Sequence, residues 1–201
     1  MADISKRSVR TVATRFDSPQ ESAAEPMLSG YFVLFNVPFY IDDTMEEVIM
    51  PGALDNADMS DVRVLVDHIP HLVLARANDK VQTMIFSIDE TGVYADVKIN
   101  PADGDAMNLY ARAQRGDVDQ ASFAFDESDV RYVDLPDGRV RREIHGISKL
   151  YELTVCTFPA YEQTFVEARS RISQELSSRR KALNEERRAR LRKKFKHRKE
   201  N

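Results

Sequence analysis

Between residues 30 and 158 the chain is a succession of short apolar runs of strand length, cut by Gly, Pro, Asp and Asn, with one segment at helical spacing. Such runs cannot bury an apolar face singly and must pair edge to edge, which limits the fold to one built mainly on sheet. Residues 30–39 (GYFVLFNVPF) are nearly continuous in apolar character and predict a strand covered on both faces. Residues 41–44 read as a turn, 46–50 as a strand ended by Pro51-Gly52, and 53–57 as one helical turn. Val62, Val64 and Val66 alternate with Arg63, Leu65 and Asp67 in a strand that ends against His68. Residues 81–88 and 93–99 flank Asp89-Glu90-Thr91-Gly92, which is hairpin punctuation. Ala106, Leu109, Tyr110 and Ala113, with Pro101 ahead and Gly116 behind, predict a helix over 101–115. Residues 118–125 form the next strand, and 135–138 (LPDG) turn the chain into a long strand pair over 139–158. The sum is a mainly β chain with a few helices (α+β), expected as a closed or nearly closed β-barrel.

Charge divides the chain. Residues 169–201 hold 14 Lys and Arg against 4 Asp and Glu, a balance of +10, which leaves 15 basic against 29 acidic residues in 1–168. After Pro159 there is no Gly or Pro, and Ile172, Leu176, Leu183, Leu191 and Phe195 are too sparse for a buried helix. Three parts are therefore expected: a loosely ordered segment over 1–29, in which Val9, Val12 and Phe16 can form a short edge strand, a β-barrel domain over 30–165, and a basic helical or disordered tail over 166–201. Residues 1–15 lack the apolar centre of a secretory signal and no run approaches a membrane span, so a cytoplasmic protein is expected. One cysteine, Cys156, allows no intramolecular disulfide.

Few side chains suggest chemistry. His68 and His71 are three apart, but Pro70 breaks the helix that would align them as metal ligands, so no metal or cofactor is expected. His68 stands at a strand end, where reactive groups are often displayed. Ser122 lies among apolar neighbours in Gln120-Ala-Ser-Phe-Ala-Phe125 and reads either as a buried serine bonded to backbone or as a nucleophile whose proton passes to His68. Cys156 has no adjacent base to lower its pKa and reads as a small hydrophobe. Glu152, between Tyr151 and Leu153, needs exposure or a partner, and His145 precedes it in the same strand pair. The tail can neutralise phosphates, although it lacks interleaved aromatics, and a protein-binding helix is an equal reading.

The order of the pieces carries more. Gly30-Tyr31 with Phe35-Asn36, Glu47-x-Ile49-x-Pro51-Gly52-Ala53-Leu54, Val64-Leu65-x-x-His68, Leu74-Ala75-Arg76, Gly116-Asp117 with Ser122-Phe123-x-Phe125, Leu150-Tyr-Glu-Leu-Thr154 and Phe158-Pro-Ala-Tyr161 together resemble the HK97-type prohead serine proteases of tailed phages. The resemblance covers about residues 30–161. It departs from the family pattern at Leu54, Ala75 and Ala124, where Phe, Gly and Gly are usual, and none of these replaces a polar group. What it implies is a fold similar to the herpesvirus maturation proteases, with Ser122 as nucleophile, His68 as base and then acid, and Glu152 as the third member. His145 is the alternative third member and Arg76 a supporting residue. The implied partners are the major capsid protein with its scaffolding segment, and the chain itself as substrate, inside the assembling procapsid in the host cytoplasm. The reading from another class is a catalytically silent barrel that binds scaffold or nucleic acid through its tail.

Overall fold

The strand pair expected within 139–158 is instead one long strand, Val140–Cys156, and its partner is the strand expected over 118–125, which runs from Gln120 to Asp134. The computed structural model describes residues 8–13, 16, 25–157, 181 and 185. In chain order these give β1 Ser8–Ala13, β2 Met27–Leu34, β3 Phe39–Asp42, β4 Met45–Ile49, β5 Val62–Val66, β6 Ile69–Ala77, β7 Met84–Ile88, β8 Gly92–Lys98, α1 Gly104–Arg115, β9 Gln120–Asp134 and β10 Val140–Cys156. The β9–β10 hairpin closes through Leu135, whose N–H donates to Arg139 O at 2.9 Å, and Gly138, whose φ of 87° permits the turn. The other edge of β10 pairs in parallel with β4 over 140–144 and then with β5 over 152–155. Between those stretches the ladder shifts register around Gly146, where a Cβ would lie 2.7 Å from Ser128 Oγ, and such bulges bend a strand.

The expected closed or nearly closed barrel does not form. The seven-stranded sheet runs from edge strand β1 through β9, β10 and β4 to β3, with β5 and β6 on a branch, and β2, β8 and β7 form a separate three-stranded sheet. The sheet forks because β4 and β5 take successive halves of one edge of β10. The apolar faces of both sheets, with Phe32, Val33, Val64, Met84, Phe123, Phe125, Leu150 and Leu153, share one core.

Local differences have local causes. In β2 the inner and outer sides alternate, and the unbroken apolar run arises because a bulge between Tyr31 and Val33 buries Phe32 and Val33 in succession. Residues 53–57 make successive turns, with Ala53 N bonded to Met50 O and Ala57 N to Leu54 O, so α1 is the one α-helix of residues 25–157. It starts at Gly104 because Asp103 Oδ1 accepts from Asp105 N and Ala106 N, and it stops at Gly116 in the left-handed region. The opening segment, expected to be loosely ordered, contributes β1, which pairs with β9 from Ser8↔Phe125 to Ala13↔Gln120. The tail lies outside the described residues except for Lys181 and Glu185, both helical and exposed.

One charged cluster is buried. Glu47 on β4 binds Arg10 of β1, at 2.7 Å from Nη2 to Oε2, and Arg142 of β10, which also holds Glu127. Burial would raise the Glu47 carboxyl, but Arg10 and Arg142 outweigh it and hold its pKa below the ordinary carboxylate value. A depressed pKa contributes stability above the unfolded value and loses it as pH falls through the folded one. The melting temperature of the wild type is therefore expected to exceed that of Glu47→Gln at neutral pH, with the gap narrowing below about pH 5 in a scanned pH series. A Cβ at Gly92 would lie 1.9 Å from the Val33 carbonyl oxygen. Gly92→Ala is expected to lower stability by about 2–3 kcal/mol in urea unfolding, with the β2–β8 pairing lost first to hydrogen exchange.

Candidate active site

The chain reverses between β5 and β6 in two residues, with Val66 opposite Ile69, and both turn residues carry positive φ, 48° at Asp67 and 59° at His68. Those signs match the two-residue hairpin turn whose twist suits paired strands. Asp and His tolerate this region better than most side chains, but they do so at a cost that other contacts must offset. Two contacts with the end of β10 do so here. Asp67 N donates to Val155 O at 3.0 Å, and Asp67 Oδ1 accepts from Thr157 N at 3.2 Å. The turn is thereby tied to β10, and His68 hangs over the face on which Glu152 and Thr154 stand two residues apart.

Ser122 is opposite Thr154 in the ladder and is fully buried. Its Oγ lies 2.7 Å from His68 Nε2. On the other side of the ring, Nδ1 contacts Glu152 Oε1. A carboxylate only accepts, so the neutral ring keeps its proton on Nδ1 and turns the Nε2 lone pair to the hydroxyl. Thr154 Oγ1 is 3.3 Å from Nδ1 and donates to Glu152 Oε1 at 3.4 Å, which fixes the carboxylate from the side. Glu152 is 9% exposed, so this chain of hydroxyl, imidazole and carboxylate works mostly out of water. Such an arrangement can remove a proton from Oγ, hold it on the ring and return it to a leaving group.

The structure thus gathers Ser122, His68 and Glu152. His145 lies elsewhere on β10 and bonds Glu143 Oε2 at 2.9 Å. Arg76, on β6, grips Asp61 through Nε at 2.6 Å and Nη2 at 2.8 Å, and among the described residues it makes no hydrogen bond to the three. His71 lines a cleft of about 340 Å³ between β6 and α1, with Leu74, Asp105, Leu109 and Arg112. Sequence reasoning missed Thr154 and Asp67. Thr154 was detectable from the two-residue period that puts it on the face of Glu152; Asp67 carried no signal without the turn.

Comparison with known proteins finds one family and two phage proteins to which the chain is similar. The profile of the caudovirus prohead serine protease family matches residues 12–179. The prohead protease of Enterobacteria phage HK97 is 30% identical over 142 residues, which is 71% of this chain and 59% of that protein, so the chain spans about three fifths of the length of this curated relative. The solved bacteriophage T4 capsid assembly protease, gp21, aligns with a TM-score of 0.41 at 10% identity, covering 75% of this chain and 97% of that one.

Cys156 closes β10 near this site, and burial first, then Asp67, push its thiol up to about 12. It is expected to resist iodoacetamide at pH 8 in the folded protein and to react fully in urea, as read by intact mass.

Proposed function

This chain belongs to the caudovirus prohead serine protease family, and from that premise we propose that it is a serine endopeptidase of capsid maturation that cuts the scaffolding segment from the major capsid protein. The observation that carries the reading is the unbroken contact chain from Ser122 Oγ through His68 to Glu152. In the first step Oγ attacks the scissile carbonyl carbon while its proton moves to His68 Nε2, and Glu152 stabilises the imidazolium through Nδ1–H. The tetrahedral intermediate collapses, the C–N bond breaks, and the departing amine takes the proton from Nε2. Water then attacks the Ser122 ester, gives its proton to His68, and releases the carboxylate product and the free hydroxyl. The holding of Glu152 by Thr154 keeps the ring in this tautomer through both halves.

The setting follows the same reading: the inside of the assembling procapsid in the host cytoplasm. Residues 166–201, with their excess of Lys and Arg, act as a delivery arm for acidic scaffold surfaces, an attraction that weakens with salt. In this reading residues 30–165 supply the chemistry.

Residues acting as one unit are not additive. Ser122→Ala and His68→Ala are each expected to remove most of the acceleration of capsid-protein cleavage, and the double variant to lose little more. Losses that multiply would mean independent roles. Glu152→Gln should lower kcat by about 10²- to 10⁴-fold with little change in fold, and His145→Ala should lower it far less. Cleavage followed by intact mass, beside thermal unfolding, separates these outcomes.

A further inference from the structure

Ser122 Oγ has a second neighbour. It lies 2.7 Å from the carbonyl oxygen of Arg10, the same distance as from His68 Nε2, so a hydroxyl with one proton faces two acceptors. Arg10 belongs to β1, an extended edge strand laid antiparallel on β9 with Thr11 opposite Ser122. Adding a strand to a sheet edge is a general way to hold an extended peptide, with backbone bonds for affinity and side-chain pockets for selectivity. Here the residue whose carbonyl touches the hydroxyl also sends its side chain into such a pocket. Its guanidinium meets the Glu47 carboxylate with Nε and Nη2 and sits 5.9 Å from the centre of the Phe125 ring.

The pocket is unbalanced without that side chain. Glu47 is 1% exposed, and its other partner, Arg142, is shared with Glu127. Two carboxylates and two guanidiniums compensate one another while Arg10 is present; without it two carboxylates share one cation. A buried charge left unpaired is strongly unfavourable, so the site takes a replacement cation and rejects a neutral side chain.

We propose, resting on the serine endopeptidase reading above, that Glu47 is the specificity-determining residue and that the substrate is an extended peptide with Arg or Lys on the acyl side of the scissile bond. That peptide replaces β1 on the edge of β9. β1 is a substrate-like occupant supplied by the chain itself, with the Arg10–Thr11 bond at the nucleophile, and it competes with outside peptides for Ser122.

The test uses the full chain and two peptidyl diphenyl phosphonates that differ only in carrying lysine or norleucine next to phosphorus. Ser122 Oγ bonds to phosphorus, phenolate leaves, and the adduct is read by mass. Norleucine is lysine without its ammonium group, and β1 competes equally with both probes, so the ratio of rates isolates that charged group. The lysine probe is expected to label about 10²-fold faster. Glu47→Gln should bring the ratio below about tenfold, whatever the change in the two separate rates as β1 loosens. Arg10→Met should speed labelling by both probes, because β1 then holds the edge less well. Equal rates in the wild type, with Ser122 labelled, overturn the proposal and leave the endopeptidase reading standing. No labelling by these probes or by a small fluorophosphonate overturns both. Slower labelling of Arg10→Met at an unchanged melting temperature would make β1 an integral strand instead of an occupant. Should Glu47→Gln fail to fold, the wild-type ratio and Arg10→Met still decide.

Discussion

β10 has two edges, and nearly every functional position in the molecule is measured from one or the other. Along one edge β9 brings Ser122 opposite Thr154; along the other β5 delivers the Asp67–His68 turn, whose backbone is tied to Val155. Glu152 and Thr154 stand between them on β10 itself, so three elements far apart in sequence meet at one place with no connection longer than the two-residue Asp67–His68 turn. Rigid placement of this kind spares the site the entropy of ordering mobile groups. The same strand, bent at Gly146, reaches the buried cluster through Arg142 at its other end. A shift of one residue in its register would turn Glu152 and Thr154 to the opposite face and dismantle the site.

What could be read from the chain alone was local. α1 announced itself through apolar spacing with Pro101 ahead and Gly116 behind, and the β7–β8 hairpin through Asp89 to Gly92, because these signals act within a few residues. β6 was not legible as a strand: Pro70 sits near its start and its outer side is half exposed, so neither composition nor alternation marks it. Closure into a barrel was a reasonable reading of many short strands, and it failed because pattern cannot tell that β4 and β5 share one edge of β10. The order of motifs is what singles out Ser122 and His68, since the immediate surroundings of Ser122 read equally as those of a buried serine. The Arg10 to Glu47 pair spans 37 residues of sequence and joins a segment expected to be loose to a strand expected to be ordinary, so no local rule could join them.

Buried ion pairs stabilise a fold less than apolar packing of similar volume, and a turn with two positive φ residues adds a further cost. Their placement explains why the chain tolerates them. His68 needs its turn to reach between Ser122 and Glu152, and Glu47 needs Arg10 to be neutralised. Folding and occlusion are therefore one contact: the arginine that compensates Glu47 is the residue whose carbonyl lies on Ser122. Any peptide that displaces β1 must remove that arginine, and only one that brings its own cation restores the balance of the cluster. Discrimination then comes from the penalty on the wrong side chain as much as from attraction to the right one.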